Sequence, residues 1–243
     1  MFNIKNYTYN KYLDGLCSVL DSHCHIGLVK NSSNYAKCLT KFRAISYGVI
    51  PSKFEFEKTL ENENIYVGVG FHPLEVIKYS DTSKELEFFK NNIENTQFIG
   101  EIGLDFSKNN EKYKDIQIYV FKEICKCLSK CKNKIISIHS VKASKYILDI
   151  LTSTKADTNN TIIFHWFSDS CKYLNDAKDR GYLFSVGPRM VQSRRGFEYA
   201  RQIPESKLLI ETDLPWDNQE LTCENHFNIL NDFLLYLREI RQV

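Results

Sequence analysis

The sequence predicts an α/β fold of the (β/α)8 TIM-barrel type, and three observations point there. Short, β-branched apolar runs alternate with longer segments of helical apolar spacing from about residue 16 to the end of the chain. Eight such pairs fit into 243 residues, close to the roughly 250 residues of a typical closed barrel. The first run leads into Asp-Ser-His-Cys-His at 21–25, whereas an open doubly wound sheet usually shows a glycine-rich phosphate loop there.

The runs read as strands lie at 16–23, 43–50, 65–71, 97–103, 135–139, 161–166, 182–186 and 207–212. Each is a short stretch rich in Ile, Val, Phe and Leu that ends in polar residues. The segments between them, at 33–41, 53–62, 82–95, 112–131, 142–153, 170–180, 191–202 and 222–240, carry apolar residues at helical spacing with lysines on the other positions. No Pro/Gly/Ser-rich linker and no internal repeat interrupts them, so residues 1–243 read as a single domain. Residues 1–15 precede the first strand, and their three tyrosines, Tyr7, Tyr9 and Tyr12, predict an extension packed on the barrel.

Composition narrows the function classes. With 43% apolar and 26% charged residues, 5 Pro and 10 Gly, the chain falls outside the disordered and low-complexity classes. A net charge of +2 argues against coating a nucleic acid by bulk electrostatics and leaves that work to local patches. The apolar stretches at 162–167 and 233–237 are far shorter than the ~20 residues of a membrane span, which predicts no membrane association. The N-terminus lacks a signal-peptide pattern, and 8 cysteines without paired spacing suit a reducing compartment, so the cytoplasm is the expected location.

Catalytic groups of such barrels sit where strands run into their C-terminal loops. His23 and His25 end the first run, Glu101 lies in the fourth, His139 ends the fifth, His165 lies in the sixth and Asp213 follows the eighth. Strand alternation puts Asp21, His23 and His25 on one face and turns Cys24 to the other. Imidazoles and carboxylates without thiolates suit a catalytic divalent ion such as Zn2+ or Mn2+. Six ligands exceed one tetrahedral shell, so two ions about 3.5–4 Å apart with a bridging carboxylate are the economical arrangement.

The motifs DSHCH at 21–25, GFHP at 70–73, IGEIGLDF at 99–106, SIHS at 137–140, FHWFS at 164–168 and ETDLP at 211–215 resemble, in order, those of the TatD family of metal-dependent deoxyribonucleases. Within it, SIHSVKAS, FHWFS and FSVGPRM are most similar to the TatD-like nucleases of Qat antiphage defence systems. The resemblance implies a barrel like those of the metallo-dependent hydrolases. In it His23, His25 and Asp213 hold one ion, His139 and His165 the other, and Glu101 bridges them. It further implies that Asp213 orients or deprotonates the attacking water, that His72 touches a phosphate at the mouth, and that Mg2+ is a further candidate for activity. The chain departs from the family in having Val141, with Lys142 next, where many members carry a basic residue, and in lacking their Arg-Gly and Asn-Glu-Pro pattern after residue 216.

Other residues are placed by position alone. Asp105 and Glu211 are expected to orient ligands; Arg189 follows strand seven, where barrels often bind phosphate; Phe167 and Trp216, just past strand ends, are candidate platforms for a splayed base. Trp166 is expected to face the core by alternation, and His226, in the closing helix, to be structural. The expected activity is therefore metal-dependent cleavage of DNA phosphodiesters at single-stranded or frayed ends. The alternatives are hydrolysis of an amide, ester or lactone on the same ions, and a chiefly binding role as a subunit among the protein partners of a defence operon.

Overall fold

A computed structural model describes residues 1–15, 18–217 and 220–242. Eight parallel strands form one sheet in sequential order: β1 (Leu20–Cys24), β2 (Arg43–Tyr47), β3 (Ile65–Phe71), β4 (Phe98–Asp105), β5 (Ile135–Val141), β6 (Thr161–His165), β7 (Leu183–Val186) and β8 (Leu208–Ile210). The ring is closed between its ends, where the Asp213 amide donates to the His23 carbonyl at 2.9 Å and the His25 amide to the Leu214 carbonyl at 2.7 Å. This is the expected (β/α)8 barrel. The start of the expected first strand, Leu16 and Cys17, lies outside the described residues, as do Asn218 and Gln219 of the stretch after Trp216.

The helices between strands are α2 (Ser32–Cys38), α3 (Phe54–Lys58), α4 (Pro73–Val76) with α5 (Ser83–Asn92), α6 (Lys114–Leu128), α7 (Ser144–Thr154), α8 (Cys171–Asp179) and α9 (Arg194–Gln202), followed by the closing α10 (Cys223–Arg241). Two short helices were not legible: α1 (Tyr9–Leu13), and α4, where Pro73 stands at the first helical position and the His72 ring caps the turn.

Strand alternation sorts the side chains. Leu20, Ile45, Phe98, Ile135, Ile163, Leu183 and Leu209 point inward and fill the lower barrel, sealed from below by Ile4 and Phe2 of the N-terminal segment. Ala44, Val67, Ile99, Ile136, Ile162, Phe184 and Leu208 point outward into the layer beneath the helices. One level up, the Tyr47 ring lies across Gly68 and Gly100, where a Cβ would come within 2.6 and 2.8 Å of it. Above this floor the inward positions are polar. All seven cysteines among the described residues are free thiols. No helix among the described residues is long and apolar enough to cross a membrane.

Candidate metal centre

Four side chains, from β1, β4 and the turn after β8, meet at one point. The separations are 3.3 Å between His23 Nε2 and His25 Nε2, 3.4 and 3.2 Å from these to Glu101 Oε2, and 3.8 and 3.3 Å to Asp213 Oδ1. Donors around a tetrahedral ion with bonds of 2.0–2.1 Å stand about 3.4 Å apart, so this set fits a divalent cation. The tautomers fit as well. His25 Nδ1–H donates to the Tyr47 carbonyl at 2.8 Å, which aims Nε2 into the cluster, and His23 Nδ1 pairs with Ser137 Oγ at 2.7 Å.

A second cluster surrounds the other oxygen of the same carboxylate. His139 Nδ1, His165 Nε2 and His72 Nε2 lie 2.6, 3.1 and 3.2 Å from Glu101 Oε1. Asp105 Oδ2 accepts from His139 Nε2 at 3.2 Å and Glu211 Oε1 from His165 Nδ1 at 3.3 Å, which frees the facing nitrogens of both rings to ligate. Glu211 is itself fixed by Ser185 Oγ and the Trp166 amide. His72 differs: its Nδ1 accepts from the Leu74 amide at 3.1 Å, so Nε2 carries the proton and acts as a donor.

Electrostatics follow from this crowding. Burial would raise the Glu101 carboxyl, but the His72, His165 and His139 rings hold it well below the usual carboxylate range. Burial likewise opposes charge on His25, yet its hydrogen bonds to Asp213 and Glu101 outweigh that and raise it to about 10. Asp213 is held low against its burial by His25 and His165. His23, buried and stacked on His165, is pushed down. The two carboxylates, kept anionic in this crowd, supply the negative charge that a divalent cation would neutralise.

Above the cluster opens a cavity of about 640 Å3. His25, His72, Glu101, His139, His165 and Asp213 form its floor, and Leu28, Val49, Leu74, Val141 and Pro215 make much of the wall apolar. Arg189 and Trp216 stand together at the rim, the guanidinium 4.3 Å from the indole centroid and 3.6 Å from Asp217 Oδ2. Lys142 is exposed, so the cavity wall at this place is Val141.

Three expectations are corrected. Phe167 is no base platform, because it is fully buried against Phe164, Phe184 and Tyr199. Trp166 lines the cavity instead: the strand ends at His165 and Trp166 adopts a φ of 40°, which reverses the facing of the next two residues. Asp21 does not share the face of His23, because a bulge between Asp21 and Cys24 turns it outward to α10. The supporting roles of Ser137, Ser185 and the Tyr47 carbonyl were not read from the sequence. Inward serines in otherwise apolar strands were the available signal.

The chain is similar to proteins of one family over most of its length. The family model described as TatD-related DNase matches residues 20–243. The human protein named deoxyribonuclease TATDN3 is 25% identical over 218 residues, covering 81% of this chain and 78% of its own. YabD of Bacillus subtilis, named an uncharacterized metal-dependent hydrolase, is 26% identical over 210 residues, covering 82% and 80%. Among solved structures, the TatD homologue YJJV of Escherichia coli superposes with a TM-score of 0.73 at 21% identity, over 93% of this chain and 94% of its own. The phosphotriesterase homology protein of Escherichia coli superposes at 0.56 and 15% identity, over 91% of each chain. The chain belongs to the TatD-related DNase family of metal-dependent hydrolases, enzymes acting on ester bonds.

Proposed function

We propose that the chain hydrolyses DNA phosphodiesters with two divalent ions, trimming single-stranded or frayed ends. The observation that carries this is Glu101, which offers one carboxylate oxygen to each of two donor clusters. His23, His25 and Asp213 would hold one ion and His139 and His165 the other, with Zn2+ or Mn2+ suited to the donors and Mg2+ a further candidate for activity. When bound, such a pair supplies an acidified water and neutralises charge on the phosphodiester oxygens.

The chain's own groups do the rest. Asp213, at the rim of the first cluster, takes the proton of the attacking water. His72 Nε2–H, 3.2 Å from Glu101 in the free protein, turns its donor to a phosphate oxygen. Arg189 pairs with a neighbouring phosphate while the Trp216 face stacks on a terminal base. Asp105 and Glu211 keep His139 and His165 in their ligating tautomers. A pocket at the barrel mouth, rather than a long groove, favours a strand end over a continuous duplex.

Metal content per chain and release of nucleotides from an end-labelled single strand test the proposal. About two ions, trimming abolished by chelator, and at least about a hundredfold loss in Asp213→Ala are expected. Chelator-resistant trimming overturns it, and turnover of amides, esters or lactones with no DNA cleavage replaces DNA by another substrate. The wording of SIHSVKAS and FSVGPRM extends the proposal to antiphage defence with protein partners in the cytoplasm. Phage plating on cells with the intact gene neighbourhood, with and without Asp213→Ala, decides that part.

A further inference from the structure

Behind the first donor cluster lies a second polar group that the hydrolytic site does not use. Asp21, fully buried, accepts four hydrogen bonds: Oδ1 from the His23 amide at 3.2 Å and the Thr212 amide at 3.0 Å, Oδ2 from Thr212 Oγ1 at 2.5 Å and His226 Nε2 at 2.6 Å. His226, on α10 and also without exposure, takes the Tyr35 hydroxyl from α2 on its other nitrogen. Asp21, Cys24 and His226 lie close enough to suggest a metal site of their own. Their hydrogen bonds argue otherwise, since both Asp21 oxygens and both His226 nitrogens are occupied and the group has no opening to solvent.

This group holds the backbone just before a strained ligand, and the His25 amide holds it just after. Asp213 has a φ of 58°, in the left-handed region that a non-glycine residue keeps only when its surroundings impose it. Thr212, before it, is pinned to Asp21 through both its amide and its hydroxyl, and Leu214, after it, through its carbonyl to the His25 amide. The same Asp21 oxygen that holds the Thr212 amide holds the His23 amide, so one carboxylate sets two ligand-bearing segments at once.

We propose that Tyr35, His226 and Asp21 form a positioning relay that fixes Asp213 and His23 for metal binding, with the His226 Nε2–H as the donor that orients Asp21. The proposal rests on the metal reading above, but adds residues from outside the barrel, on α2 and α10. The direction of each bond follows from Asp21: its carboxylate only accepts, which places a proton on His226 Nε2 and, on the neutral ring, leaves Nδ1 to accept from the Tyr35 O–H.

The full chain is stripped with chelator, reloaded with Mn2+ alone, and compared as parent, His226→Gln, His226→Leu and Tyr35→Phe. Mn2+ affinity by calorimetry, melting temperature of the stripped protein, and kcat and KM on a labelled single strand are measured. The expected result is Mn2+ affinity about ten- to a hundredfold weaker in His226→Leu, a lower kcat and an unchanged KM. Most of both losses is recovered in His226→Gln, which keeps a donor toward Asp21, and Tyr35→Phe falls between. A His226→Leu protein that melts earlier yet keeps the parent's affinity and kcat overturns the relay, as does a His226→Gln protein no better than it. If His226→Leu does not fold, Tyr35→Phe decides: parental affinity and kcat there overturn the relay. A parent that binds no Mn2+ overturns the metal reading itself.

Discussion

Glu57, on α3, is a buried carboxylate whose Oε2 finds no hydrogen-bond partner. Its side chain occupies the space that Gly27 and Gly48 leave open, where a Cβ would lie 2.7 and 2.4 Å from its oxygens. Burial pushes its pKa from 4.5 up to about 7, against the opposing charges of His25 and Lys53. The folded protein therefore holds this proton more tightly than the unfolded chain. Stability falls as pH rises from 4.5 to about 7 and the loss is complete above that. The neutral isostere in Glu57→Gln should unfold at higher urea than the parent above pH 7, by up to about 3 kcal/mol, with the difference closing below pH 4.5. Equal gaps at both pH values would remove burial as the cause. Nothing in the sequence marked this residue, because a glutamate in FEFEKTLENE reads as solvent-facing. His23, His25, Glu101, His139, His165 and Asp213 were legible for the opposite reason: each interrupts or ends an apolar run, where a polar group needs a partner.

Strand positions, by contrast, were legible to within a few residues, as was the opposite facing of His23 and Cys24, whereas the facing of Asp21 was not, and a bulge accounts for this. Three steps along β1 from Asp21 to Cys24 match two along β2 from Ala44 to Ser46, and three along β4 from Ile99 to Ile102 match two along β5 from Ile136 to Ile138. Each extra residue resets the alternation at a donor cluster, Asp21 turning outward in one case and Glu101 inward in the other. Local pattern carries no sign of such an insertion, since it appears only against the neighbouring strand. The β4 bulge also depends on Gly70 of β3, where a Cβ would stand 2.2 Å from the Gly48 carbonyl and 2.3 Å from the Glu101 amide. Gly70→Ala should cost about 1–3 kcal/mol of stability, and should weaken metal binding more than substitutions of equal cost elsewhere, because it pushes on the Glu101 backbone. Calorimetric titration alongside urea unfolding checks this; parental metal affinity at reduced stability would detach Gly70 from the site.

At the scale of the whole barrel the two ends divide their work. The C-terminal mouth carries the donor clusters, and the N-terminal end is closed by Phe2, Ile4 and Tyr7, with Phe2 stacked on Tyr7 and packed on Tyr66 and Phe98. The tyrosines of residues 1–15 indicated packing, but that Tyr7 joins the end plug while Tyr9 and Tyr12 pack in the outer layer depends on three-dimensional closure. Ile4→Ala, in a site 1% exposed, should cost about 2–5 kcal/mol while leaving metal affinity unchanged, measured by urea unfolding and titration of the same samples. A fall in affinity would show that the two ends are coupled. The seam of the ring has another consequence. β8 is only three residues long, and the bonds that join the last strand to the first run through His23, His25, Asp213 and Leu214. The first donor cluster is thus brought together by the same clasp that completes the cylinder. A chain still emerging from the ribosome and not yet past residue 213 has an open sheet edge and an incomplete donor cluster, so the site is assembled only with the last eighth of these 243 residues, once the barrel can shut.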